Sequence, residues 1–156
     1  MACRKLCSGM LLLLAVGWLT IAPRVLGGET PASAPIAAPA ASAQLSTGEL
    51  VVVDVRGPGE WASTGVPRGA AEVSLFARPG TINDNFIDRV LAAVGGDKST
   101  PIATICATGV RSSMASDILR KNGFTAVYDI AEGMFGSKFG PGWLRRGLPL
   151  GPCRTC

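Results

Sequence analysis

The chain has 156 residues and no histidine, and this absence excludes several kinds of catalytic site. Cys–His and Ser–His catalysis both need an imidazole as general base. A zinc centre held by histidines is excluded on the same ground. A reactive side chain in this protein must therefore be activated by backbone N–H groups and by charged residues such as arginine.

Charged residues are also scarce, at 17% of the chain, and most of the excess positive charge lies near the amino terminus. With 47% hydrophobic residues, the chain lies outside the disordered class. Arg4, Lys5 and Arg24 belong to the 15 cations, and without these three the remaining 12 face 11 acids, a net charge of +1. This balance excludes nucleic acid as a partner.

The apolar segment MLLLLAVGWLTIA, residues 10–22, is too short for a typical membrane span, which needs about 20 residues. A basic start, a short apolar stretch and small residues after it are the pattern of a secretory signal peptide. We predict that residues 1–27 are this signal, cleaved after Gly27, and that the protein is exported to a bacterial periplasm. Contact with a membrane is expected only if the signal stays uncleaved.

Export changes the interpretation of the five cysteines. Cys3 and Cys7 lie within the predicted signal, so the mature chain keeps Cys106, Cys153 and Cys156. An odd number of cysteines in an oxidising compartment predicts one disulfide and one free thiol. Cys153 and Cys156 are the candidate pair, and Cys106 is the candidate free thiol.

The composition divides the rest of the chain into three parts. Residues 28–44 are mostly Ala, Pro and Ser without periodicity, and they predict a semi-extended linker. Residues 45–150 carry the apolar segments of one domain. Residues 151–156, GPCRTC, form a C-terminal tail with a Cys-x-x-Cys sequence.

Within residues 45–150, apolar runs typical of strands alternate with segments of helical periodicity. Strands are predicted at residues 50–55, 69–75, 101–105 and 124–130. Helices are predicted as one turn at residues 60–63, from Asn83 or Asp84 to Gly95, from about Ser112 to Asn122, and around residues 143–146. This order predicts an α/β domain with a central parallel sheet flanked by helices on both faces.

The loop CATGVR, residues 106–111, follows a predicted strand and precedes a predicted helix. Functional loops of parallel sheets lie at this end of the strands. Its small side chains allow a tight curl, with Gly109 at a positive φ angle, and successive N–H groups in such a curl form an anion-binding nest. The helix amino terminus and Arg111 add positive charge to the nest.

A thiol at the mouth of this nest is favoured as the thiolate, which is the reactive form of cysteine. Two other interpretations of Cys106 remain open on these residues alone. A free cysteine at a strand end is often a buried structural residue. The loop is also compatible with a phosphate-binding turn that performs no nucleophilic chemistry.

Five segments in this order resemble the rhodanese family of sulfurtransferases across roughly residues 45–150. They are VVVDVRGPGEW, TGVPRGA, CATGVR, NGFTAVYDIAEGM and GPGWLRRGLPL. The resemblance implies the rhodanese α/β fold and a nucleophilic Cys106 that carries a persulfide. It also implies a substrate-binding cradle of backbone amides from Ala107 to Arg111, which includes Thr108, Gly109 and Val110. Thr108 and Ser112 can also donate to sulfur, or serve as local turn and cap groups.

One comparison within the rhodanese family and one with cysteine phosphatases refine this interpretation. Many members of the family have a histidine in the stretch matching TGVPRGA, where this chain has Val66. We interpret that position as structural, so the absence of a histidine there does not predict that the protein is inactive. Cysteine phosphatases need a longer loop between Cys and Arg, whereas only residues 107–110 separate Cys106 from Arg111 here. The shorter loop suits a sulfur atom better than a tetrahedral phosphate.

Charged residues near the loop receive two interpretations each. Arg111 is a candidate catalytic residue that contacts an anionic donor, or it locks the loop through a carboxylate. Asp54 and Arg56, at the carboxyl end of a predicted strand, either brace the loop from behind or form a surface pair with Glu60.

The expected activity is double displacement, in which Cys106 takes a sulfane sulfur from thiosulfate or a similar small donor and passes it to a thiol or cyanide. No cofactor and no metal is implied. The alternative is a persulfide carrier or thiol-redox module that acts with a protein partner and does not turn over alone. The tail cysteines, Cys153 and Cys156, are a candidate redox pair that collects sulfur from Cys106, a plain disulfide, or half a metal site.

Overall fold

The computed structural model describes residues 34–156, so the predicted signal peptide, residues 1–27, lies outside the described residues. In chain order the elements are β1 (Ala34–Pro35), α1 (Ala38–Thr47), β2 (Val51–Asp54), α2 (Pro58–Thr64), β3 (Val66–Pro67), β4 (Ala71–Glu72), β5 (Phe76–Arg78), β6 (Thr81–Ile82), α3 (Phe86–Ala93), β7 (Ile102–Ile105), α4 (Val110–Lys121), β8 (Val127–Asp129), α5 (Gly142–Arg145) and β9 (Leu150–Gly151). Across these described residues, no helix has the length and apolar character that a membrane span requires.

A parallel sheet of five strands, in the order β1-β8-β7-β2-β4, forms the centre of the domain. Asp54 of β2 is in register with Glu72 of β4 on one side and with Ile105 of β7 on the other. Thr104 of β7 is in register with Asp129 of β8. Because parallel strands end at the same side of a sheet, these residues share one border. We call it the carboxyl edge.

Helices cover both faces of the sheet, as the sequence predicts. Adjacent residues of a strand point to opposite faces, so Val52 and Val53, both fully buried, belong to different core clusters. The cluster on the Val53 face includes Phe86 of α3 and Leu119 of α4. The cluster on the Val52 face includes residues of α1 and Trp143 of α5. Burial on both faces explains the continuous β-branched run in β2.

The prediction of a linker over residues 28–44 is wrong from Ala34 onward. Residues 34 and 35 form β1, which pairs with β8, and α1 begins at Ala38 with Pro39 in its first turn. Ala38 and Ala41 are fully buried in the core. Alanine has the highest helix propensity and proline is tolerated in the first helical turn, so this segment forms a helix without large apolar residues. Its small side chains also let the helix pack closely on the sheet.

The predicted boundary between the domain and the tail at residue 150 is also wrong. Leu150 and Gly151 form β9, which pairs antiparallel with β3. Beyond β9, the backbone N–H groups of Arg154 and Thr155 donate to the carboxylate of Glu72. The C-terminal residues are therefore packed on the domain rather than extended from it.

Two helices begin at positions that differ from the sequence predictions. Helix α4 begins at Val110, ahead of the predicted Ser112, because Gly109 already turns the chain at a φ of 96°. Helix α3 begins after Asn85 and not after Asn83 or Asp84. The side chain of Asn83 accepts the N–H of Asn85 at 3.2 Å. This local turn precedes the helix, so that Asn85 becomes the residue before its first turn.

Candidate active site

Cys106 is the first residue after β7, at the carboxyl edge, and its thiol is free. The residue is 1% exposed, and its Sγ accepts a hydrogen bond from the N–H of Gly109 at 3.2 Å. Gly109 has a φ of 96°, which confirms the predicted left-handed position and turns this N–H toward the sulfur. The loop therefore folds back on the cysteine and offers it a backbone donor.

The segment that follows β8 holds the loop from the other side. The carbonyl oxygens of Cys106 and Ala107 accept hydrogen bonds from Met134 N–H at 2.9 Å and Phe135 N–H at 3.0 Å. Gly133 lies so close that a Cβ there would be 2.5 Å from the carbonyl oxygen of Ala107. The curl is thus fixed by a second backbone segment as well as by its own sequence.

Helix α4 begins directly behind the loop and is tied to β7 by buried hydroxyl groups. Ser112 is fully buried and donates to the carbonyl of Gly109 at 3.0 Å, so it fixes the loop to the first turn of α4. Thr104 donates to the carbonyl of Ser112 at 2.9 Å and lies 2.7 Å from the hydroxyl of Ser116. These bonds aim the amino terminus of α4, with its partial positive charge, at the loop that holds Cys106. Of the residues predicted to bind substrate, Thr108 and Val110 are exposed, whereas Ala107 and Gly109 are half-buried.

Arg111 forms a bidentate ion pair with Glu60 of α2. Its Nη1 lies 2.6 Å from Oε2 and its Nη2 lies 2.7 Å from Oε1. The hydrogen bond from Arg111 is the main reason why the pKa of Glu60 is lowered, and the same bond raises the pKa of Arg111. A thiolate at Cys106 would also favour the protonated guanidinium, although less than Glu60 does. The structure thus shows the predicted carboxylate lock on Arg111, with Glu60 as the carboxylate.

Asp54 and Arg56 are fully buried, so the prediction that they form a surface pair with Glu60 is wrong. Arg56 binds the Asp54 carboxylate through Nη2 at 2.6 Å and Nε at 2.9 Å. The same guanidinium donates to Thr64 Oγ1 at 2.7 Å and to the carbonyl of Gly65 at 2.8 Å. The pair braces the carboxyl end of α2, the helix that carries Glu60, and the charge of Asp54 also acts on Arg111 at the end of the loop.

Comparison with known proteins identifies the family. A family model described as Rhodanese-like domain matches residues 37–138. This chain belongs to the rhodanese-like family. Uncharacterized protein RP600 of Rickettsia prowazekii is 30% identical over 98 residues, which cover 63% of this chain and 80% of that protein.

Solved structures share the fold. The polysulfide-sulfur transferase homodimer from Wolinella succinogenes is 25% identical, with a TM-score of 0.58, over 79% of this chain and 81% of that one. The thiosulfate sulfurtransferase from Pseudomonas aeruginosa is 23% identical, with a TM-score of 0.56, over 79% of this chain and 21% of that one. At this identity the second match shows the fold alone. Together with the family match, the Wolinella structure places the chain in a family of sulfurtransferase type.

Beside the loop, the rhodanese-like domain has a pocket of 510 Å³ that the sequence did not reveal. Thr108, Gly109 and Val110 line it together with Asp129 and Phe139. Asp129 ends β8 at the carboxyl edge, which is the signal that would have identified it. The sequence suggests Glu60 only as a partner of Asp54 and Arg56, because sequence alone does not show which strand lies beside β2, the strand that leads into α2.

The C-terminal tail of the rhodanese-like domain closes on a buried acid. Cys153 and Cys156 form a disulfide, as the cysteine count predicts. The side chain of Glu72 is 1% exposed and accepts the N–H of Arg154 at 2.9 Å and the hydroxyl of Thr155 at 2.6 Å. Burial acts to raise the pKa of Glu72, but the hydrogen bonds from the tail outweigh it and leave the pKa lowered.

Proposed function

We propose that this domain is a sulfurtransferase that carries sulfane sulfur as a persulfide on Cys106. The observation that carries the proposal is the hydrogen bond from Gly109 N–H to the free Cys106 sulfur, in a loop followed directly by a helix amino terminus and Arg111. A thiolate, and later a persulfide anion, is stabilised in that setting by the backbone donor and by the nearby positive charge.

In the first half-reaction, the Cys106 thiolate attacks the outer sulfur of thiosulfate. A new S–S bond forms to Cys106, the S–S bond of thiosulfate breaks, and its electron pair leaves with sulfite. In the second half-reaction, cyanide or an acceptor thiol attacks the outer sulfur of the persulfide and releases the Cys106 thiolate. This is covalent catalysis, in which one difficult transfer becomes two easier ones.

The size of the loop supports sulfur over phosphate as the bound group. Only residues 107–110 lie between Cys106 and Arg111, and the backbone of residues 131–135 packs against them. A Cβ on Gly109 would overlap the carbonyl oxygen of Ala131. A curl held this closely does not widen easily to enclose a phosphate group, whereas only the single outer sulfur of thiosulfate has to enter it.

We also propose that the protein acts outside the cytoplasm, in a bacterial periplasm, with small sulfur compounds as its donor and acceptor. The Cys153–Cys156 disulfide supports this location, because disulfides persist in oxidising compartments. The signal-like sequence at residues 1–27 supports it independently.

Intact mass spectrometry tests the chemistry directly. After incubation with thiosulfate and removal of the excess, the protein should gain the mass of one sulfur, and cyanide should remove it. Cys106→Ser is the matched control and should gain nothing. Steady-state assays with thiosulfate and cyanide then separate an enzyme from the alternative, a carrier that loads once and does not turn over. No gain of mass on the wild-type protein would refute the proposal.

A further inference from the structure

The pocket beside the loop is lined by a largely buried carboxylate that has no ion-pair partner among the described residues. Asp129 lines this pocket and is 7% exposed, and its Oδ1 is buried without a hydrogen-bond partner. Among residues 34–156, no lysine or arginine nitrogen lies within 4.0 Å of this carboxylate. A buried carboxylate that lacks partners is costly, and a ligand that supplies a donor or a positive charge relieves that cost.

The electrostatic surroundings of Asp129 also favour the binding of a cation. Burial is the main cause that raises the pKa of Asp129, and the nearby hydroxyl of Ser112, which donates to the carbonyl of Gly109, only partly opposes it. Asp117 raises the pKa further, whereas Arg120 lowers it. Both of these residues belong to α4 and form an ion pair with each other. A cation bound at the carboxylate would favour its ionised form, so cation and carboxylate would stabilise each other.

The rest of the pocket suits a small molecule with a short apolar body. Its volume of 510 Å³ is within the range of about 300–1,000 Å³ that is usual for small-molecule sites. Pro35, Val110 and Phe139 contribute apolar walls. Lys138, whose ammonium lies 5.0 Å from the centre of the Phe139 ring, also lines the pocket. The pocket therefore carries one negative and one positive group.

We propose that this pocket binds the sulfur acceptor and that the acceptor is a small aminothiol, with its ammonium group on the carboxylate of Asp129. The inference rests on the proposed function, because it gives an occupant to the pocket beside the loop that holds Cys106. One wall of the pocket is Thr108–Val110, the same backbone that curls around the Cys106 sulfur. An aminothiol anchored at Asp129 is thereby held next to the loop that presents the outer sulfur.

The transfer to this acceptor balances without a further reactant. The acceptor sulfur bonds to the outer sulfur of the Cys106 persulfide, and the S–S bond to Cys106 breaks. The electron pair of that bond returns to Cys106 as the thiolate, and the proton of the acceptor thiol remains on the new persulfide. Asp129 binds the amine and takes no part in these bond changes, so it is a positioning residue.

The test compares three thiols of similar size that differ in charge, namely cysteamine, 2-mercaptoethanol and 3-mercaptopropionate. With Asp129→Asn, KM for cysteamine should rise about 10-fold to 100-fold, as expected for the loss of a hydrogen bond to a charged group. KM for 2-mercaptoethanol should stay within about twofold, and KM for the anionic 3-mercaptopropionate should not rise. The matched control, Asp84→Asn, removes an exposed acid that neither lines the pocket nor acts on the charge of Asp129, and it should change none of the three values.

A binding measurement supports the kinetics without relying on turnover. Ethanolamine, which has the amine and lacks the thiol, should shift the amide resonances of Gly109, Val110 and Ser113 in the wild-type protein and not in Asp129→Asn. If Asp129→Asn fails to fold, Phe139→Lys provides a second variant, because Phe139 is 64% exposed. The added cation should raise KM for cysteamine more than KM for 2-mercaptoethanol.

The outcomes separate this inference from the proposed function. If thiosulfate loads Cys106 but Asp129→Asn changes KM for all three thiols equally, or for none, the aminothiol site is wrong and the persulfide chemistry stands. If thiosulfate does not load Cys106 in the wild-type protein, the proposed function itself fails, and ethanolamine binding alone decides whether the pocket recognises amines.

Discussion

Replacing Gly109 with alanine should slow sulfur transfer strongly in a domain that still folds. Gly109 has a φ of 96°, and a Cβ on it would overlap the carbonyl oxygen of Ala131, which belongs to the backbone segment that holds the loop. To accept the methyl group, residue 109 must move away from Ala131. Its N–H then leaves the sulfur of Cys106, to which it donates at 3.2 Å.

The magnitude follows from two separate contributions. An L-residue in the left-handed region costs about 1–2 kcal/mol. Crowding a close-packed site with an extra carbon typically costs about 1–3 kcal/mol more. The expected loss of unfolding free energy is therefore about 2–5 kcal/mol, within the roughly 5–15 kcal/mol by which domains of this kind are stable. Loss of a preorganised donor to a developing anion lowers a rate about 100-fold to 1,000-fold.

Gly48→Ala is the matched control, because Gly48 also lies at a helix end with a φ of 78° and a Cβ there would meet nothing within 4 Å. It should show only the conformational cost of about 1–2 kcal/mol and normal sulfur transfer. Urea denaturation gives the two stabilities, and mass spectrometry after thiosulfate gives the loading of Cys106. If Gly109→Ala is no less stable than Gly48→Ala and loads sulfur normally, the argument about the loop is wrong.

Three further changes test other parts of the site. Cys106→Ser should abolish sulfur loading and leave the far-ultraviolet circular dichroism spectrum unchanged; retained turnover would exclude this residue as the nucleophile. Glu60 has a pKa below its usual 4.5, so its ion pair should stabilise the wild-type protein above that value, and this contribution should be lost as pH falls through the lowered pKa. Denaturation of Glu60→Gln between pH 6 and pH 3 should lack this component, and identical pH profiles would contradict the ion pair. Changing Cys153 and Cys156 together to serine should release the tail from Glu72 and reduce stability by about 1–3 kcal/mol. In the wild-type protein the tail is anchored on Glu72 and is not expected to collect sulfur. The double variant should therefore discharge its Cys106 persulfide at the wild-type rate. A slower discharge would instead support a sulfur relay through the tail.

The disulfide and the central sheet show how much the sequence predicts when the signal is local. The β-branched run at Val51–Asp54 and the apolar run before Cys106 predicted buried strands, since a strand covered on both faces has no polar side to display. The small residues from Ala107 to Gly109 predicted a tight curl, and the left-handed conformation of Gly109 confirms it. Burial pattern, turn chemistry and cysteine spacing are properties of neighbouring residues, and they can be read along the chain.

The partners of the loop were decided only by the tertiary structure. Glu60 meets Arg111 because β2, which leads into α2, lies beside β7, and strand order is not written in either segment. Asp129 reaches the same border because β8 lies on the other side of β7. Likewise, the Ala-rich helix α1 and the tail on Glu72 each pack against residues distant in the chain. Sequence determined which segments were buried and where the loop bends, whereas the order of the strands determined which charges surround Cys106.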